Sequence, residues 1–161
     1  MTLAAYEPPA LEVVLTLSLG LTLLSPYYRR FARDLGLRGD ERVLDYGSGS
    51  GVLSRHIAAQ LRRQGGHLDC VDVSRGWMRV LRKTLWRHDN VRYHLGHISQ
   101  LDLPDAAYDA AISHFCLHEV PTAGRLAVVA ALCRKLKPGG RLILREPPEQ
   151  GLTLGELRQL A

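Results

Sequence analysis

Val43-Leu44-Asp45-Tyr46-Gly47-Ser48-Gly49-Ser50-Gly51 decides how the rest of the chain is read. An apolar run that closes on an acid and then places three glycines within five residues reads as a buried strand followed by a tight turn. Val52 to Leu61 has helical spacing, so the turn joins a strand to a helix. Glycine tolerates positive φ and lets a ligand lie against bare backbone, and a helix start offers N–H groups that the helix itself does not satisfy. The turn is therefore a candidate site for a nucleotide-like cofactor. Its spacing departs from the dinucleotide pattern Gly-x-Gly-x-x-Gly, because Val52 stands where the third glycine would be. Asp45 at the strand end suits a cationic ammonium better than a pyrophosphate. The plain alternative is a strand-to-helix connection with no ligand.

With 161 residues, 46% of them hydrophobic, the chain has enough apolar surface for a single core. Cys70, Cys116 and Cys133 are odd in number, far apart and without C-x-x-C spacing, which argues against a disulfide framework and against a zinc site. A reducing cytoplasm fits this usage, and no metal site is expected. Lys and Arg number 21 against 16 Asp and Glu, a net charge of +5. The densest basic group, Arg75, Arg79, Arg82, Lys83 and Arg87, shares one side of a helix and reads as a solvated face in preference to an RNA-contacting stripe.

Leu11 to Leu24 is strongly apolar, but its roughly 14 residues fall short of the ~20 that span a bilayer, so no membrane span is expected. Leu15, Leu17, Leu19, Leu21 and Leu23 alternate with smaller residues as a strand would, whereas Pro8-Pro9 followed by Ala10, Leu11 and Glu12 opens like a helix. Helix is the favoured reading. Ser25 and Pro26 cap and start a second helix that Gly36 stops. Strands are expected at His67–Val73, Val91–Leu95, Tyr108–Ser113 and Arg141–Arg145, with helices from Arg75 to Arg87 and from Pro121 to Leu136. This alternation predicts an α/β doubly wound, Rossmann-like, mostly parallel sheet, with ligands beyond the carboxyl ends of the strands.

Four blocks in order carry a family resemblance: the glycine turn with Asp45, Val71-Asp72-Val73-Ser74 with Met78, Leu103-Pro104-Asp105 leading into Tyr108-Asp109-Ala110-Ala111-Ile112, and Leu136-Lys137-Pro138-Gly139-Gly140-Arg141-Leu142. The chain resembles the class I S-adenosylmethionine-dependent methyltransferases, in particular the small-molecule branch called type 11. That resemblance divides the chain into an N-terminal apolar cover, residues 1–25, and an S-adenosylmethionine-binding domain, residues 26–161. It implies that Asp45, Gly47, Ser48, Gly49 and Gly51 hold the methionine part of the cofactor, that Asp72 accepts from the ribose, and that Val73 lies against adenine. In the family an acid often follows the glycine after the third strand; here His97 follows Gly96, and either stacks on adenine or faces solvent, while the backbone of Ile98 reads the adenine edge.

His114-Phe115-Cys116-Leu117-His118-Glu119 follows the fourth strand, where the resemblance places the methyl-transfer site. His114, His118 and Glu119 are the catalytic candidates, with His114 also touching cofactor; His118 reads equally as a residue that orients the loop, and Cys116 as a small packed residue. The expected reaction is methyl transfer to a small-molecule or lipid-like acceptor. RNA methylation and a non-catalytic, cofactor-binding scaffold are the alternatives. Relative to the family the chain is a short version without the last two strands, ending soon after a capping box at Thr153-Leu154-Gly155-Glu156. Arg141–Arg145 is then an apolar edge strand, expected to be covered by Leu11–Leu24 folding back or by the same edge of a second copy in a homodimer.

Overall fold

Strand and helix alternate along the chain in the computed structural model, which describes residues 7–147. The strands are β1 Arg42–Tyr46, β2 His67–Asp72, β3 Val91–Leu95, β4 Tyr108–His114 and β5 Leu136–Arg145. All four ladders are parallel and the order is β3-β2-β1-β4-β5. The helices are α1 Ala10–Leu21, α2 Ser25–Asp34, α3 Ser54–Leu61, α4 Arg75–Thr84 and α5 Thr122–Lys135.

Alternate residues of each strand feed two cores. Val43, Leu68, Cys70, Ala110 and Ile112 face the layer of α2, α3 and α4, where Ala32, Ile57, Leu61, Met78 and Leu81 are buried. Leu44, Tyr46, Val71 and Ala111 face the opposite layer, built from α5 and the segment after β3. The period of two along a strand sends neighbours to opposite faces, and each fully buried leucine or valine contributes about 1.5–3 kcal/mol. The strand order reverses between β1 and β4, and the crevice outside their carboxyl ends is where such sheets bind ligands.

Several sequence-derived expectations shift. Leu11–Leu24 does fold as a helix for most of its length, but α1 does not run along β5. It packs on α2 and so closely on the glycine turn that a Cβ at Gly20 would lie 2.8 Å from a Val52 methyl. Ser25 is the first residue of α2 rather than a side-chain cap, α3 begins at Ser54, and α4 ends at Thr84. β5 pairs from Leu136 instead of Arg141, since Pro138-Gly139-Gly140 is absorbed as an irregularity in the ladder between Tyr108 and Ala110. The basic residues Arg75, Arg79, Arg82, Lys83 and Arg87 are all exposed, Arg82 stacking over Tyr93 and Arg87 over Trp86. The capping box at Thr153 lies outside the described residues.

Candidate active site

Beyond the carboxyl end of β1 lies a cavity of about 320 Å3, walled by Asp45, Gly47, Ser48, Gly49, Asp72, Val73, Trp77, His114, Phe115, Cys116 and Glu119 and roofed by Glu12 and Thr16 of α1. Its floor is the glycine turn. Gly47 has φ +74°, and a Cβ there would collide with the Cys116 side chain, so only glycine serves at this position. Gly49 also has positive φ, +51°, but its missing side chain would point into free space. Gly51 differs: its Cβ would sit 2.5 Å from Leu85 and 2.6 Å from Leu81, so this glycine lets α4 pack closely and does not line the cavity.

Two carboxylates are built into this floor. Asp45 is almost fully buried and accepts a 2.6 Å hydrogen bond from Ser54, while its backbone carbonyl accepts from Ser48. Burial pushes its pKa up to about 6, against the opposing Ser54 and Ser48 hydrogen bonds. Asp72 closes the turn from the side: its carboxylate accepts from the Gly49 N–H at 2.8 Å and from the Ser74 N–H at 2.9 Å. Burial raises its pKa too, although those backbone N–H groups pull the other way. Ser74 caps α4 by accepting from the Trp77 N–H.

The opposite wall is aromatic. His114 ends β4 and is surrounded by Phe31 at 4.7 Å between ring centroids, Phe115 at 4.3 Å and Tyr28 at 5.7 Å, with the Tyr27 hydroxyl 3.0 Å from its Nε2. Burial lowers its pKa to about 4, so the ring is neutral throughout the physiological range. Phe115, with φ +54°, is held in a left-handed conformation that costs a non-glycine residue about 1–3 kcal/mol. Neighbouring bonds hold it there: the Phe115 N–H donates to the Arg145 carbonyl, and the Cys116 and Leu117 N–H groups both donate to the buried Glu146 carboxylate.

Glu146 also corrects the expected position of His118. The ring Nδ1 lies 2.7 Å from Glu146 and Nε2 lies 3.1 Å from Glu119, so both nitrogens are engaged and the ring sits behind the cavity wall instead of in it. His97 and Ile98 are likewise absent from the lining. The His97 ring bonds Ser99 at 2.7 Å, and Ile98 is buried in the α5 layer. Burial pushes the Cys116 thiol pKa up, which keeps it an inert packed group. Reading along the sequence missed Tyr27, Tyr28, Trp77, Glu146 and Glu7, whose carboxylate accepts from the Arg75 and Gly76 N–H groups and from Ser74. The available signal was position: Glu146 follows β5 just as Asp72 completes β2, at the same end of the sheet.

Residues 43–140 match the family model described as a methyltransferase domain. The demethylmenaquinone methyltransferase of Tropheryma whipplei is 34% identical over 125 residues, covering 77% of this chain and 49% of the relative. The ubiquinone/menaquinone biosynthesis C-methyltransferase UbiE of Vibrio campbellii is 32% identical over 123 residues, covering 74% and 46%. The chain thus spans about half the length of these curated relatives. A solved SAM-dependent methyltransferase from Aquifex aeolicus superposes with a TM-score of 0.68 at 21% identity, over 83% of this chain and 76% of that one. The chain belongs to the methyltransferase domain family, and its fold is that of the class I S-adenosylmethionine-dependent methyltransferases.

Proposed function

We propose that the protein transfers a methyl group from S-adenosylmethionine to the ring of a flat, lipid-like acceptor of the quinone kind. The aromatic wall carries this reading: His114 and Phe115, backed by Tyr27, Tyr28 and Phe31, flank the same cavity whose floor holds Asp45 and Asp72. The relatives named for demethylmenaquinone and ubiquinone/menaquinone biosynthesis support the acceptor class.

The floor fits the cofactor. Asp45 is a buried carboxylate bonded to Ser54 and, among the described residues, to no cation, so it is poised to meet an α-ammonium; Asp72 keeps lone pairs beyond its backbone bonds for ribose hydroxyls; the bare Gly47–Gly49 backbone leaves room for the chain between them. Val73 and Trp77 offer apolar surface to the base. When bound, S-adenosylmethionine supplies an electrophilic methyl group on a positively charged sulfur. The chain's own residues then act chiefly by position: the aromatic wall stacks the acceptor ring, and α1 roofs the cavity against water. His114 is too weak a base at pKa about 4 to draw a proton from the acceptor; it orients the Tyr27 hydroxyl. Glu119, lining the cavity with an exposed side chain, is the group placed to carry a released proton to solvent, and His118, between Glu119 and Glu146, positions it.

Calorimetric titration with S-adenosylmethionine and S-adenosylhomocysteine, followed by transfer of a labelled methyl to a demethylated quinol in detergent, tests the proposal. Asp72→Ala removes charge-assisted contacts worth about 1.5–3 kcal/mol each, so affinity should fall at least about tenfold. Unchanged affinity in that variant, or tight binding with no transfer to the quinol, overturns the reading.

A further inference from the structure

Helix α1 is built with its polarity reversed for a helix on a protein surface. Its inner face carries Glu12, Thr16 and Gly20, the first two lining the cavity and the third pressed on Val52. Its outer face carries Leu11, Val14, Leu15 and Leu19, with Leu11 70% and Val14 58% exposed, and Leu23 and Leu24 continue the patch into the turn before α2. Burying six aliphatic side chains is what stabilises a core, so a patch of this size held in water marks a surface meant for contact. Among the described residues nothing lies over it.

The charge around the patch selects the partner. No acidic residue occurs between Glu12 and Asp34, and the same stretch ends in Arg29, Arg30 and Arg33, all exposed on α2 and outnumbering Asp34, which lies 3.6 Å from Arg30 and 3.8 Å from Arg33. No single helix among the described residues is long and apolar enough to cross a membrane; only α1 and α2 together reach that length and composition, and they are bent by 67° where they meet. An apolar helix face bordered by arginines, too short to span, has the make-up of an element that lies in the plane of a bilayer surface with its leucines among the acyl chains. The helix is also fixed in place at both ends. Glu7 binds the first turn of α4 through the Arg75 and Gly76 N–H groups, and Gly20 abuts Val52, so the leucines are displayed on a roof that stays seated over the cavity.

We infer that α1 docks the protein on an anionic phospholipid surface, with Leu11, Val14, Leu15 and Leu19 inserted and Arg29, Arg30 and Arg33 meeting the headgroups. That this brings the cavity to a membrane-dissolved acceptor rests on the function proposed above; the docking itself does not. A ring substrate with an isoprenoid-like tail would then reach the aromatic wall from the lipid without crossing water.

The test is vesicle co-sedimentation of the full chain with phosphatidylcholine vesicles, with and without phosphatidylglycerol, in the absence of cofactor and acceptor. Binding should require the anionic lipid and weaken as salt rises. Leu15→Asp and Leu19→Asp should each reduce it about tenfold, and Arg30→Glu about fivefold, with the protein still folding cooperatively, since Leu15 and Leu19 are about half exposed and the Arg30–Asp34 pair is a surface one. Failure of the unaltered protein to bind anionic vesicles overturns the inference. So does sedimentation velocity showing a dimer that Leu15→Asp dissociates without any vesicle binding, which would assign the patch to a second copy. Because no methyl transfer is measured, this failure is separate from failure of the acceptor assignment.

Discussion

The two sides of the cavity are made in different ways. The floor under β1 and β2 is polar, buried and satisfied: Asp72 is bonded to Gly49 and Ser74, Asp45 to Ser54, and each comes from a strand end or the turn that follows it. The far wall is aromatic and the roof is a helix whose polar side faces the cavity; both are partly exposed, assembled from α1, α2 and the segment after β4, and held by contacts between residues far apart in sequence, such as Tyr27 with His114. A charged cofactor common to a whole family needs fixed hydrogen-bonding groups. An acceptor that varies needs a surface whose shape can change without disturbing them. The comparison therefore teaches that the floor is where substitutions should abolish binding, and the roof is where they should change what is bound.

The sharpest way to break this division is Gly47→Ala. The new methyl meets Cys116 and the backbone is held at φ +74°, so the variant should lose about 2 kcal/mol or more of stability and all measurable cofactor binding. Adding Cys116→Gly should restore the steric part alone, leaving the cost of the left-handed conformation. If Gly47→Ala binds cofactor normally by calorimetry, the floor is less rigid than its geometry indicates.

pH gives the next largest effect. An ionised Asp45 pairs with an ammonium and a protonated one does not, so cofactor affinity should fall by about tenfold per pH unit below about 6. Ser54→Ala removes a hydrogen bond that lowers this pKa, and should move the break to higher pH. For the cofactor-free fold the sign is opposite. A carboxyl whose folded pKa lies above its ordinary 3.8 favours the fold fully below that value, and the contribution is lost as pH rises through about 6. Titrations across pH 5 to 8 that show no decline in affinity at the acid end would detach Asp45 from the cofactor.

On the far wall the effects should be smaller and fall on turnover. Glu146→Gln loosens the N–H groups of Cys116 and Leu117 and should cost about 1–3 kcal/mol in chemical unfolding, whereas His118→Asn should leave stability within about 1 kcal/mol. If His118 only positions Glu119, His118→Asn should lower kcat severalfold with an unchanged pH profile. Loss of the acidic limb of that profile would make His118 the base itself.

Much of the floor could be read from residue order because its parts are local: a strand, a turn with positive φ and a helix start are contiguous, and Asp72 completes the next strand in register. The assignments that moved were those set by packing. Gly51 has the same φ sign as Gly47 and Gly49, yet its use depends on Leu81 in α4 and Leu85 at its C-cap, which lie beyond all of α3 and β2 in the chain. His118 carries an ionisable ring just past β4, and only the arrival of Glu146 from the end of β5 turns it away from the cavity.

What the sequence by itself determined is the alternation of strands and helices and the parallel sheet, which follow from periodicity and turn glycines, and the family, which four ordered blocks carry by resemblance. Only the tertiary structure decided where α1 goes and which way it faces. Leucines alternating with small residues fit a strand, a core helix or an edge cover equally well, and hydrophobic burial has no direction of its own. The direction came from Gly20 against Val52 and Glu7 at the start of α4, two contacts between distant segments that put the polar side of the helix over the cavity and its leucines outside.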